Sequence, residues 1–254
     1  MSGRLAIIGL GPGDDRYLTR EARDALEAAN ALYGYGPYLD RVPVRSAQSR
    51  HPSGNREEGA RAEAALRHAA DGANVAIVSG GDPGIFAMAA SVCEEIEVGP
   101  PAWRALDISI IPGVTAMLAV AAKVGAPLGH DFCALSLSDN LKPWALIERR
   151  LDAAASAGFV IALYNPVSQA RPWQLATAFE RLSRYLSAST PVIFGRAVGR
   201  ADETMTVTTL GAAAETAADM ATLIIVGSSE TRVIARPGSA PLVYTPRAVE
   251  DAIA

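Results

Sequence analysis

Gly80-Gly81-Asp82-Pro83-Gly84 is the stretch whose residue types and spacing point most directly to chemistry. It follows the apolar, β-branched run Val75-Ala76-Ile77-Val78-Ser79 and leads into Ile85-Phe86 and a helix-like pattern. A buried parallel strand delivers its C-terminal edge to a ligand in this way. Glycines there allow positive φ and let a ligand reach the main chain with no Cβ in between. Asp82 either caps neighbouring N–H groups or faces the ligand. A plain strand-to-helix connection is the alternative for such a loop taken alone.

Two other turns share this character. Gly9-Leu10-Gly11-Pro12-Gly13-Asp14 ends the apolar run Leu5–Ile8, and Pro112-Gly113-Val114-Thr115-Ala116 ends Ile108–Ile111. In a parallel sheet all three lie along one edge, where ligands bind. The first turn does not fit a dinucleotide site. Asp14 stands where the third glycine is needed, and the next strand closes in Gly34-Tyr35-Gly36-Pro37 rather than on an acidic residue. Pro12 also removes an N–H from the loop that would cradle a phosphate. The second half contributes Leu163-Tyr164-Asn165-Pro166 and Gly195-Arg196-Ala197-Val198-Gly199-Arg200, each after a strand-like run.

The elements that must position these turns alternate along the chain. Strands are expected at 5–9, 31–35, 75–78, 108–111, 132–136, 159–164, 192–195, 205–209 and 222–226. Helices are expected after Thr19, over 56–71, 85–95, 116–124, 143–155, 172–186 and 211–217. Residues 42–55 read as a polar loop carrying Arg45, Arg50 and His51. The pattern implies an α/β protein of two domains, 1–118 and 119–254, with mostly parallel sheets, the second partly antiparallel, and a ligand cleft between them.

Composition narrows the function. Of 254 residues, 50% are hydrophobic and 20% charged, which suits a globular chain with ample core. A net charge of −4 and a pI near 5.5 argue against a general nucleic-acid binder. No apolar run approaches the length of a membrane span, and the N-terminal run leads into a glycine turn rather than a cleavage site. Cys93 and Cys133 have no paired spacing, cannot alone build a four-thiolate cluster, and read as small core residues of a cytoplasmic protein.

The ordered set of turns, together with Leu18-Thr19 and Thr209-Leu210, resembles the signatures of the tetrapyrrole methylases, S-adenosylmethionine-dependent enzymes of siroheme and cobalamin synthesis. The likeness spans nearly the whole chain. Gly34–Leu39, Gly81–Ala89, His130–Asp139 and Phe159–Pro166 look like the subgroup that methylates precorrin-3B at carbon 17 with ring contraction. Two positions depart from the family pattern: Gly80 stands where serine is more usual, and Gly227-Ser228-Ser229 replaces Gly-Asn-Ser.

The resemblance implies two α/β domains with the cofactor between them, a homodimer and a precorrin substrate, while the charge, run lengths and cysteine count speak for no nucleic acid, no membrane and no metal. Carried over by position, contacts to S-adenosylmethionine fall on Pro12, Gly80, Gly81, Asp82 and Ile85. Further contacts fall on Thr115, Ala116, Tyr164 and Ala197 or Val198. Ring contraction calls for proton management near the macrocycle. Asp14 and His130 are the candidates, each with the alternative of a cap or backbone partner. Substrate carboxylates call for arginines, and Arg45, Arg50 and Arg196 are the foremost candidates. The same motifs serve relatives acting on other precorrins or on cobalt-factor III, and a non-catalytic tetrapyrrole carrier or sensor is the reading from another class.

Overall fold

The apolar runs of the first half become five strands, all parallel. They are β1 (Arg4–Gly9), β2 (Ala31–Tyr35), β3 (Ser49–Ser53), β4 (Asn74–Ser79) and β5 (Asp107–Ile111), in the order β3-β2-β4-β1-β5. The computed structural model describes residues 3–168 and 170–248. This first unit ends at Thr115, and a second begins at Ala116.

Helices cover both faces of the first sheet because β1 alternates two apolar sets. Leu5 and Ile7 pack with α3 (Glu58–Ala70) and α4 (Met88–Val98), whereas Ala6 and Ile8 pack with α1 (Arg20–Ala28). Thr19 caps α1, its Oγ1 accepting from the Ala22 amide at 3.1 Å. Such a cap stabilises by about 1 kcal/mol. Neighbouring strands β1 and β4 therefore send their chains to opposite faces. That divergence marks a topological switch point, where open α/β sheets bind ligands.

Three local expectations change here. The 42–55 segment is not all loop, since β3 adds a parallel edge strand with Pro52 in it. Proline is tolerated because an edge strand has a free side. Buried Arg61 holds its end, donating to Ser53 Oγ at 2.6 Å and to the Gly54 carbonyl at 2.7 Å. A short helix, α2 (Gly36–Leu39), follows β2. Helix α4 begins at Met88 rather than Ile85, because Phe86 has φ 52° and Ala87 is extended.

The second unit carries α5 (Ala116–Val124), β6 (Gly125–Ala126), β7 (Phe132–Ser136), α6 (Trp144–Ser156), β8 (Val160–Tyr164) and α7 (Gln174–Leu182). Then come β9 (Pro191–Arg196), β10 (Thr204–Thr209), β11 (Thr222–Val226), β12 (Arg232–Arg236) and β13 (Ser239–Tyr244). Its main sheet runs β10-β9-β11-β8-β7. Only β7 and β8 pair in parallel there, and the other pairings are antiparallel. This sheet is more antiparallel than strand-helix alternation suggested. The link from β9 to β10 is too short for the crossover that parallel strands need. Residues 210–215 form a 3-10 turn instead of the expected helix. The β12–β13 hairpin was not expected; it turns at Gly238 (φ 71°), and β13 pairs in parallel with β6. Cys133 is half-buried, which raises its thiol pKa, but Cys93 lies exposed on α4 rather than in the core. No helix among the described residues is long and apolar enough to cross a membrane.

Candidate functional site

Register brings the three turns of the first unit together. Gly9 lies opposite Ser79, and Ile8 opposite Ile111, so the strands end level. Beyond those ends, Gly11 and Gly81 pair through their backbones. The Gly11 amide donates to the Gly81 carbonyl at 3.1 Å, and the Gly81 amide returns a bond to Gly11 at 2.9 Å. Both have φ of 67°, a conformation open to glycine at little cost. The third turn closes on them so tightly that a Cβ on Gly113 would stand 2.3 Å from the Gly81 carbonyl oxygen. The result is a main-chain cradle, with little side-chain bulk between the turns. Such a surface suits a ligand read by amides and carbonyls, and the residues present fit the family's nucleoside cofactor.

Side chains fix this cradle from behind. Asp82 Oδ1 accepts from the Gly84 amide at 2.8 Å, and its Oδ2 from the Gly113 amide at 3.1 Å. Asp82 thus staples the second turn to the third. Arg41 clamps the first turn, donating to the carbonyls of Leu10 (2.8 Å), Gly11 (2.9 Å) and Gly13 (2.8 Å). Sequence reasoning missed Arg41, because no local pattern shows a guanidinium reaching some thirty residues back. Gly80 also gains a reason. A Cβ there would approach the Tyr38 ring to 2.6 Å, so the aromatic on α2 occupies the space a serine would need.

In the second unit, the Tyr164 hydroxyl at the end of β8 accepts from the Met117 amide at 3.2 Å, occupying an orphan donor at the start of α5. Asn165 follows with φ 53° and donates to Ser136 Oγ at 2.9 Å. Half-buried Arg171 ties neighbouring loops, bonding to Ser138 Oγ and, at 3.1 Å, to Ser168 Oγ. After β9, Ala197 takes φ 50° and donates its amide to Ala221 at 2.9 Å. The side chains of Ala197 and Val198 are buried.

The remaining expected residues are placed as follows. Pro12 is buried in the first turn, Ile85 is partly exposed beyond the second, and Thr115 and Ala116 close the third, Ala116 also opening α5. Asp14 caps a short 3-10 turn. Its Oδ1 accepts from the Arg16 amide at 2.9 Å, and its Oδ2 takes a bond from the Arg16 guanidinium at 3.3 Å. These bonds lower its pKa to about 2, so at neutral pH it is a carboxylate and a weak base. The capping alternative describes its geometry. His130 is half-buried in a bend before β7. Arg50 donates to the carbonyls of Leu39, Val42 and Pro43, and so serves the turn after α2. Arg45 pairs with Glu27 at 2.7 Å. Arg196 pairs with Asp202 and Asp219 at 2.9 and 2.8 Å, and both bonds raise its pKa.

Known proteins share this architecture. The profile of the tetrapyrrole (corrin/porphyrin) methylases matches residues 4–214. A precorrin-3B C(17)-methyltransferase of Sinorhizobium sp is 61% identical over 247 residues, covering 97% of this chain and 97% of that protein. A probable cobalt-factor III C(17)-methyltransferase of Salmonella typhimurium is 43% identical over 90% of this chain and 94% of its own. The solved structure of the methyltransferase CobJ superposes with a TM-score of 0.90 at 43% identity, covering 96% of this chain and 100% of that one. With the family profile matched into both units and a relative this similar over nearly all of its length, the chain belongs to the tetrapyrrole (corrin/porphyrin) methylases.

Proposed function

We propose that this chain uses S-adenosylmethionine to methylate precorrin-3B at carbon 17 with ring contraction, giving precorrin-4 in cobalamin synthesis. The 61% identity to a precorrin-3B C(17)-methyltransferase, over 97% of both chains, carries the reading. The stapled cradle of glycine turns supports it.

S-adenosylmethionine supplies a methyl group already activated on a sulfonium, so the protein's work is alignment and exclusion of water. In this reading Pro12, Gly80, Gly81, Ile85, Thr115 and Ala116 hold the donor, mostly through their main chains. Asp82 acts by fixing the turns, since both its oxygens already accept amides. Tyr164 secures the start of α5, and Ala197 and Val198, both buried, shape the turn after β9. His130 is the group we assign to proton transfer. Asp14, acidic and hydrogen-bonded to Arg16, anchors the first turn instead. Arg45 and Arg196, partly exposed within their ion pairs, are the arginines we assign to substrate carboxylates. The reading is completed by a cytoplasmic homodimer divided near residue 118.

The test is anaerobic incubation of the purified protein with S-adenosylmethionine and precorrin-3B, followed by mass spectrometry and optical spectra. A one-methyl mass gain with loss of the original chromophore is expected. Turnover of a cobalt-containing analogue with precorrin-3B untouched would move the chain to the second reading, which the 43% identical cobalt-factor III relative favours. Absence of S-adenosylmethionine binding would overturn both.

A further inference from the structure

Asp14, Arg41, Arg50 and Asp82, the charged side chains nearest the first two turns, are each committed to partners within the fold. Tyr38 on α2 is not. A Cβ placed on Gly80 would stand 2.6 Å from its Cζ, 2.8 Å from its Cε1 and 2.9 Å from its Oη. The phenolic end of the ring therefore lies directly beside the main chain of the second turn. Packing holds it there. The ring meets Tyr35 edge-on at 87°, centroids 5.4 Å apart, and rests against the apolar cluster that includes Ile8, Leu39 and Val78. Its hydroxyl has no such commitment. Among the described residues none hydrogen-bonds it, and the oxygen is not sealed from water as a buried orphan would be. A fixed ring thus presents one donor and one acceptor, open to a partner, at the edge of the cradle.

We propose that Tyr38 is a cofactor-contacting residue, its hydroxyl hydrogen-bonding the S-adenosyl ligand that lies along Gly80 and Gly81. This rests on the function proposed above. Main-chain amides only donate and carbonyls only accept, whereas a phenol does both and so meets a hydroxyl or amine of the ligand from either side. The bare α-carbon of Gly80 then serves more than fit. A side chain there would push the phenol off the turn and take its hydroxyl away from the ligand.

The test is calorimetric titration with S-adenosylhomocysteine, alongside thermal melts and steady-state kinetics with precorrin-3B. Tyr38→Phe removes one oxygen and keeps the ring. It breaks no hydrogen bond within the protein, so its melting temperature should match that of the wild type. Its S-adenosylhomocysteine affinity should fall about 3- to 10-fold, the scale of one neutral hydrogen bond. KM for precorrin-3B at saturating S-adenosylmethionine should stay within about twofold. In a Tyr38→Ala background, Gly80→Ser carries a hydroxyl into the space the phenol leaves, and should recover part of the affinity that Tyr38→Ala loses. Unchanged S-adenosylhomocysteine affinity in Tyr38→Phe, or an effect confined to KM for precorrin-3B, would overturn the proposal and leave the methyltransferase reading standing. A wild type that binds no S-adenosylhomocysteine would take down both.

Discussion

Asp82 Oδ2 accepts a hydrogen bond from the Gly113 amide at 3.1 Å, joining the turns after β4 and β5 across the intervening strand. Its other oxygen accepts within its own loop from Gly84. An acidic residue in a glycine-rich turn invites a ligand-binding role, but both oxygens of this one already hold main-chain amides, so in the proposed reading it supports the loop rather than the ligand. Asp82→Ala leaves two amides without their acceptor and should lower stability by about 1–3 kcal/mol. Affinity for S-adenosylhomocysteine should fall at least about tenfold, because the cradle loses its spacing. Asp82→Asn keeps one acceptor and turns its NH2 toward a donor, so it should fall between. Calorimetric titration and thermal melts decide this, and affinity unaffected by Asp82→Ala would contradict the staple.

Arg41 is the corresponding support for the first turn, with one nitrogen donating to three carbonyls. A lysine carries the charge and three N–H donors on one nitrogen, but its shorter stem sets that nitrogen back from the three carbonyls that Arg41 Nη2 reaches. Arg41→Lys should therefore cost about 1–2 kcal/mol and Arg41→Met about 2–3 kcal/mol. Both should weaken S-adenosylhomocysteine binding in the same order. Equal behaviour of the lysine variant and the wild type would show that charge alone suffices.

What the sequence disclosed follows from the range of the forces involved. Strands β1, β4 and β5 were legible because apolar β-branched runs stop at glycine or proline, and their parallel pairing brings the turns level. Strand β3 was not, since Ser-Arg-His-Pro-Ser carries no apolar alternation and is held by register with β2 and by Arg61. The direction of the strands in the second sheet was half legible: the short connection after β9 forces an antiparallel return, but the alternation of helix and strand hides it. Arg41, Arg50 and Arg61 look like surface cations in sequence. Each serves backbone carbonyls or a hydroxyl brought near by folding, which local spacing does not encode.

Gly80 and Tyr38 form a size-matched pair. A serine at position 80 puts its Cβ into the Tyr38 ring, whose nearest atom would lie 2.6 Å away. The ring can move, at the expense of its edge-on contact with Tyr35, whose centroid is 5.4 Å away. Gly80→Ser should thus cost about 1–2 kcal/mol in the wild type. In a Tyr38→Ala background the same change should be close to neutral, giving a coupling of about 1 kcal/mol in a double-mutant cycle. Additive effects would mean that the ring relaxes freely and that the pairing is incidental.

His51 should make the fold acid-sensitive. Its ring stacks on Tyr33, centroids 4.4 Å apart and planes 10° from parallel, while His68 lies 5.8 Å away and Tyr33 Oη bonds to His68 Nδ1 at 3.2 Å. Ser49 Oγ meets His51 Nε2 at 3.1 Å. Burial, and then the proximity of His68, lower the His51 pKa below its ordinary 6.5. The folded state therefore favours the neutral ring, and the unfolded chain takes up its proton first as pH falls. The stabilising contribution is complete well above the unfolded value. It is lost as pH drops through about 6.5 toward the lower folded value. His51→Phe keeps a ring for Tyr33 to stack on and removes the titration. Its melting temperature should decline less between about pH 7 and pH 5 than that of the wild type, with the curves closest above about pH 7.5. Parallel melting curves for the two proteins across that range would show that the imidazole cluster does not govern acid stability.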